Sequence, residues 1–374
     1  MTVEYVVPGR VEFVGKHVDY AGGRSLTCAI DAAIHATASP IEEAVLRVTD
    51  DRRGAPVTVP LGSADTPRTS TRASYAAAVA RRFGRDFPRS RSGVEVVLRS
   101  DLPPSAGLSS SSALVVALAM ALVDANDLEH DPTWRAAVPT AIARAEYFAA
   151  METGAAYGSF AGDGGVGVRG GAQDHVAIVC AQQGEVGQFS YLPPRVERFV
   201  TFPPECLIAI AVSGVHAAKR GNARAAYNRL SDAMREFAMT GFPKDPASEV
   251  ADRVAQFREE TDVIVPGVAN AIRDRDYSTL GALVDRSQDL AERVLGNQVQ
   301  ETIFLAKIAR ERGAIAASAF GAGFGGAVWA MVPRDDAAQF VAGWRARYEH
   351  AFPARRARAR WLLTAPAGPA ARVS

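Results

Sequence analysis

Cysteine is scarce. Only Cys28, Cys180 and Cys206 occur among the 374 residues, far apart and in apolar surroundings. That spacing excludes a disulfide framework and a cysteine metal cluster, and it predicts buried reduced thiols in a cytoplasmic protein. An excess of one charge is also missing: 42 Lys and Arg face 41 Asp and Glu, a formal net charge of +1. Without a global positive field the chain has no means of collecting nucleic acid, so no such partner is expected. Long hydrophobic runs are absent. Stretches such as Ala113 to Val123 fall short of the roughly 20 residues a membrane span needs, so no membrane partner is expected. The start, MTVEYVVPGR, holds no basic segment followed by an apolar one, and no signal peptide is expected. The 48% hydrophobic and 22% charged residues that are present exclude a largely disordered or fibrous chain.

At about 150 residues per domain, the length predicts two to three lobes. Residues 3–7, 44–49, 94–99, 175–180, 207–212 and 326–332 are rich in β-branched or apolar residues and read as strands. Alanine-rich stretches at 73–83, 110–125, 134–152, 222–240, 248–273 and 278–293 read as helices. Strands and helices that do not strictly alternate predict an α+β fold. The prolines of 193–204 suggest a boundary between an N-terminal domain, 1–200, and a C-terminal domain, 201–374. Residues 158–171 are glycine-dense and predict a loop or hairpin, and the basic run 353–360 reads as a solvated face.

The strongest local signal is DLPPSAGLSSSSALVVAL, Asp101 to Leu118. Small residues lead into four serines and then an apolar helical run. Serine is a good helix cap, and a helix start offers free N–H groups and a positive dipole end, which suits a phosphate. One cap satisfies the structure, which leaves the other hydroxyls for phosphate or Mg²⁺. A capped buried helix is the plainer reading. A Walker loop is excluded, because no Gly-Lys-Ser/Thr follows the glycine.

Two further clusters accompany it. Phe320 to Gly326, FGAGFGG, opens a strand rather than a helix, which argues against a dinucleotide fingerprint and for close backbone approach to a loop or ligand. Pro8 to Gly23, PGRVEFVGKHVDYAGG, crowds Arg10, Lys16, His17 and Asp19 beside glycines. A hydroxyl-rich ligand needs such directional partners, although a plain turn would also hold them.

Together, in this order, the three segments resemble the GHMP kinases, and within that family the galactokinase branch. Pro8 to Tyr20 is similar to the signature PGRVNLIGEHTDY, Leu102 to Ala113 to the phosphate loop PxGxGLSSSAA, and Phe320 to Gly326 to GAGFGG. Weaker matches are Gly170 to His175 with CGIMDQ, Tyr227-Asn228-Arg229 with YNxR, and Ser74-Tyr75 at a helix start. The resemblance implies two lobes, ribosomal protein S5 domain 2-like and ferredoxin-like, with the active site in the cleft between them. It implies a kinase that uses ATP and Mg²⁺ to phosphorylate the anomeric hydroxyl of galactose or a related sugar. Asp174 would be the catalytic carboxylate and Arg10 its partner. His17, Asp19, Gly171, Tyr227 and the residue at Lys16 would line the sugar pocket. Ser105, Ala106, Gly107, Leu108, Ser109, Ser110, Ser111, Ser112 and Gly323 would bind the nucleotide, and Ser111 with Glu146 would hold the metal.

The chain departs from the pattern in three places. Lys16 replaces a glutamate that accepts from a sugar hydroxyl far from the anomeric carbon. Ser105 replaces the first loop glycine. Glu146 and Asp174 lie 28 residues apart, so 153–168 reads as an insertion. An ammonium suits an anionic group, so a uronic acid is an alternative substrate. The motifs would also suit a different small-molecule kinase of the family, or a sugar sensor that binds without catalysis.

Overall fold

A computed structural model describes every residue except 52–54, 65–71, 91, 105, 169, 216–230, 233, 242–247 and 374. The first sheet has nine strands. These are β1 (Val3–Val14), β2 (Arg24–Ile41), β3 (Val45–Asp50), β4 (Val57–Pro60), β5 (Gly93–Ser100), β6 (Glu185–Ser190), β7 (Arg195–Thr201), β12 (Pro366–Ala367) and β13 (Ala371–Arg372). Its spine runs β13-β1-β2-β5-β3-β4, all antiparallel except β3 with β5. The long β2 pairs with β6 over its first residues and with β5 over its last. The second sheet is antiparallel, in the order β11-β8-β10-β9: β8 (Cys206–Val212), β9 (Ala316–Ala319), β10 (Ala327–Pro333) and β11 (Arg360–Thr364).

The chain thus passes from one sheet to the other between Thr201 and Cys206, close to the expected boundary. The division is not linear, however. After β11 the chain returns, and β12 and β13 pair with β2 and β1. The lobes share one core. Phe13 of β1 stacks on Trp329 of β10 with ring centroids 4.6 Å apart, and both are fully buried.

Helices α1 (Arg72–Asp86), α2 (Ser110–Ala125), α3 (Pro132–Ala137), α4 (Ala141–Thr153) and α5 (Gln173–Val179) accompany the first sheet. Helix α2 is apolar on every face because sheet and helices enclose it, and Ala113 through Ala119 are buried without interruption. Two expectations need correction. Residues 134–152 form two helices rather than one: Pro139 disfavours helical geometry before it, and Thr140 then caps α4 by accepting from Ala143 N at 3.2 Å. Residues 175–180 are not a strand but most of α5. A short apolar run carries no period that separates the two. Most of the expected helix at 222–240 lies outside the described residues.

Candidate active site

The site lies where the end of β1, the starts of α2 and α5, and the 320–326 loop meet. Strand alternation puts Arg10 and Glu12 on the same face of β1. Both are buried. Arg10 Nε and Nη2 each donate to Asp174 Oδ1 at 2.8 Å, and Nη1 donates to the Gly107 carbonyl at 2.6 Å. Its guanidinium also lies over the Phe320 ring. One side chain therefore ties β1 to the first turn of α5, the serine loop and the third glycine segment.

Beyond β1 the chain turns sharply, with left-handed backbone at Gly15 (φ 104°) and His17 (φ 58°). That turn aims consecutive residues in opposite directions. His17 faces the cleft, its Nδ1 3.2 Å from Tyr20 Oη and its Nε2 3.0 Å from Asn297 Nδ2 and 3.2 Å from the Ala322 carbonyl. Lys16 points the other way and donates to Ser287 Oγ at 2.8 Å. Ser287 in turn donates to Glu260 Oε1 at 2.8 Å, and the same oxygen accepts from Gly15 N and Lys16 N. Burial pushes the Lys16 ammonium below its ordinary value, against the pull of Glu260 and Glu12. Lys16 is thus a buried link to the helices of the second lobe and does not line the cleft, where the sequence reading expected it.

Asp19 accepts from Gln173 N at 3.3 Å at the start of α5. Gly171 passes so close that a Cβ there would meet Asp19 Oδ2 at 2.3 Å, so only glycine fits. Burial, and then the charge of Asp174, raises the Asp19 carboxyl above its ordinary value.

Arg10, Glu12, His17, Asp19, Ser112, Glu152, Gly171, Asp174, His175, Gly321 and Ala322 are among the residues enclosing an open cleft. Among the described residues, four carboxylates and one guanidinium line it.

The metal pair also differs from expectation. Ser112 Oγ donates to Glu152 Oε2 at 2.9 Å and lies 3.5 Å from Asp174 Oδ2. Glu146 is six residues before Glu152 on α4, about 120° away around the axis, and lies off the cleft near Tyr157. Glu152 thus faces the cleft where Glu146 was expected, and Ser112 rather than Ser111 meets it. Ser110 and Ser111 sit half-buried on the first turn of α2. Among the described residues no three His, Cys, Asp or Glu side chains converge to hold an ion by themselves. The oxygen donors Ser112 and Glu152 fit a hard cation such as Mg²⁺ whose other ligands come from phosphate and water.

In the serine loop, Ala106, Leu108 and Ser109 are buried. Gly107 (φ 78°) and Ser109 (φ 58°) are left-handed, so Ser109 makes no side-chain cap and its Oγ has no hydrogen-bond partner. The first amides of α2 remain available, as at any helix start. Gly321 packs on this loop, since a Cβ there would lie 3.3 Å from the Gly107 carbonyl. Gly323 instead abuts Asn297, whose carbonyl accepts from Phe324 N at 2.5 Å. Ser105 and Tyr227 lie outside the described residues.

Comparison with known proteins accords with this geometry. Residues 74–182 match the GHMP kinases N terminal domain, 268–350 the GHMP kinases C terminal domain, and 3–40 the galactokinase galactose-binding signature. The chain belongs to the GHMP kinases. This kinase is 26% identical over 353 residues to a galactokinase of Mycobacterium tuberculosis (strain H37Rv), covering 90% of this chain and 91% of that one. It is 24% identical to a galactokinase of Lacticaseibacillus casei, covering 90% and 87%. Its fold matches Lactococcus lactis galactokinase complexed with galactose, with a TM-score of 0.81 at 16% identity, covering 100% of this chain and 95% of that one. The match to L. major mevalonate kinase in complex with R-mevalonate gives a TM-score of 0.61 at 15% identity, covering 98% and 96%. The expected α+β fold of this family is the fold observed.

Sequence reasoning missed Glu12, Glu152 and Asn297. Glu12 stands where the quoted signature has Asn, and its Oε2 accepts from Gln173 Nε2 at 2.5 Å. Gln173 and His175, quoted with the CGIMDQ match but given no role, stand where that motif has Met and Gln. These departures were visible as letters, but only the fold shows that they meet.

Proposed function

We propose that this GHMP kinase transfers the γ-phosphoryl group of ATP to the anomeric hydroxyl of a neutral monosaccharide, galactose or a close relative, in the cytoplasm. The observation that carries the reading is the Arg10–Asp174 pair at 2.8 Å, held against Gly107 at the foot of a polar cleft. Asp174 accepts the hydrogen bond of the acceptor hydroxyl and takes its proton. Arg10 keeps that carboxylate oriented and offsets charge on the transferring group. Phosphoryl transfer asks for this positioning and charge stabilisation more than for covalent work. His17, Asp19 and the close backbone at Gly171 bind and orient the sugar. The first turn of α2 with Gly107 to Ser112 receives the phosphates of ATP. Ser112 and Glu152 would hold Mg²⁺, which would supply neutralising charge to the phosphates.

A uronic acid substrate would need the Lys16 ammonium in the pocket. That amine is turned into the second lobe, and the cleft is rich in carboxylates, so a neutral sugar is the better reading. ADP release measured over galactose, glucose, galacturonate, mevalonate and homoserine tests this. Turnover with galactose or another neutral hexose is expected. Turnover with mevalonate or homoserine alone would contradict it.

A further inference from the structure

We propose that His175 is a nitrogen donor to the divalent cation of this site, and that the kinase therefore favours a first-row transition-metal cation such as Mn²⁺ over Mg²⁺. The proposal rests on the cation reading of Ser112 and Glu152 given above. His175 is the second residue after Gln173 in the first turn of α5 and is 2% exposed. Neither ring nitrogen has a hydrogen-bond partner, which is unusual for so buried an imidazole. Its Nε2 stands 3.2 Å from Glu152 Oε2, the same oxygen that accepts from Ser112 Oγ at 2.9 Å. All three residues line the cleft.

The spacing of these donors suits an ion. Ligands about 2.1 Å from an octahedral cation lie about 3 Å apart at adjacent vertices. Glu152 Oε2 stands at about that separation from both Ser112 Oγ and His175 Nε2, and Asp174 Oδ2 lies 3.5 Å from Ser112 Oγ. An all-oxygen set suits Mg²⁺ and Mn²⁺ alike, whereas an imidazole in the set favours first-row transition ions over Mg²⁺, least for Mn²⁺ and more for Co²⁺. The galactokinase motif quoted above has Gln at this position, an oxygen donor, so the nitrogen is a departure of this chain from that motif.

Pulsed EPR of Mn²⁺ bound to the full-length protein with ADP tests the proposal. Protein grown in ¹⁵N medium separates protein nitrogen from nucleotide nitrogen. The wild type is expected to show hyperfine coupling to an imidazole nitrogen, and His175→Gln to lose it while still binding Mn²⁺. The Mn²⁺ affinity, from titration, is expected to fall at least about tenfold in His175→Gln, the loss typical even of outer-shell partners, and the Mg²⁺ affinity to fall less. Because the decisive spectrum is that of the wild type, a variant that folds poorly leaves the test intact. Bound Mn²⁺ without protein nitrogen coupling overturns the proposal and leaves the kinase reading standing. Mn²⁺ binding indifferent to Ser112→Ala and Glu152→Gln overturns the cation site itself, while sugar-dependent ADP release judges the kinase reading separately.

Discussion

Arg10 is the residue on which the site is assembled, since its guanidinium touches α5, the serine loop and the Phe320 ring. Asp174 is the group it serves. Asp174→Asn keeps the shape and removes the base, so ADP release is expected to fall by roughly 10²–10⁴, the usual general-base contribution. Retention of more than about a tenth of the wild-type rate would contradict the role assigned to Asp174. Glu12 makes a different prediction. Burial pushes its carboxyl from 4.5 up to about 7, against Arg10 and Lys16. The native state then holds a proton that the unfolded chain has already lost, so stability falls as pH climbs from the lower value to the higher. Glu12→Gln removes this penalty. Its melting temperature relative to wild type is expected to gain more at pH 8 than at pH 5, and an equal or smaller gain at pH 8 would contradict the shift. Arg10 and Asp174 were legible because they sit in motifs. Glu152 was not, because reading 134–152 as one helix hid the break at Pro139, and with it which acid of α4 faces the cleft.

At the scale of elements, the turn after β1 decides which side chains reach the cleft. A left-handed His17 sends that residue inward and Lys16 outward, and no count of residues along the chain reveals this. Lys16 then meets Ser287 and Glu260 on helices of the second lobe. Glu260 opens a π-helical turn, Glu260–Ile264, a distortion that often marks functional segments. Lys16→Met removes the donor to Ser287 and a positive charge that Glu260 feels through it, and is expected to cost about 1–3 kcal/mol in denaturant unfolding. The sugar KM is expected to stay within about twofold, because Lys16 does not line the cleft. A tenfold rise in KM without loss of stability would return Lys16 to the pocket. The helix α2 was legible to its boundaries, since a serine run against an apolar stretch marks its start. The helix α5 was not, for its short apolar run fits a strand equally well, and it is Asp19 at its first amide that marks it as a helix start.

For the whole molecule, two sheets share one core through Phe13 and Trp329, and the cleft opens where their loops face each other. The passage between the sheets holds Pro203 and Pro204 of the proline-rich stretch. The return of β12 and β13 to the first sheet was not, because two-residue strands carry no periodicity. No helix among the described residues is long and apolar enough to cross a membrane, in line with the short apolar runs of the sequence. The central claim is that this cleft holds a sugar with its anomeric hydroxyl at Asp174. The position of the phosphate on the product tests it most directly, read by ³¹P and ¹H NMR after incubation with ATP, Mg²⁺ and galactose, or with whichever hexose gives the fastest ADP release. A phosphate coupled to the anomeric proton is the predicted result. A phosphate on any other hydroxyl, or no phosphorylated sugar with any hexose, would contradict the claim.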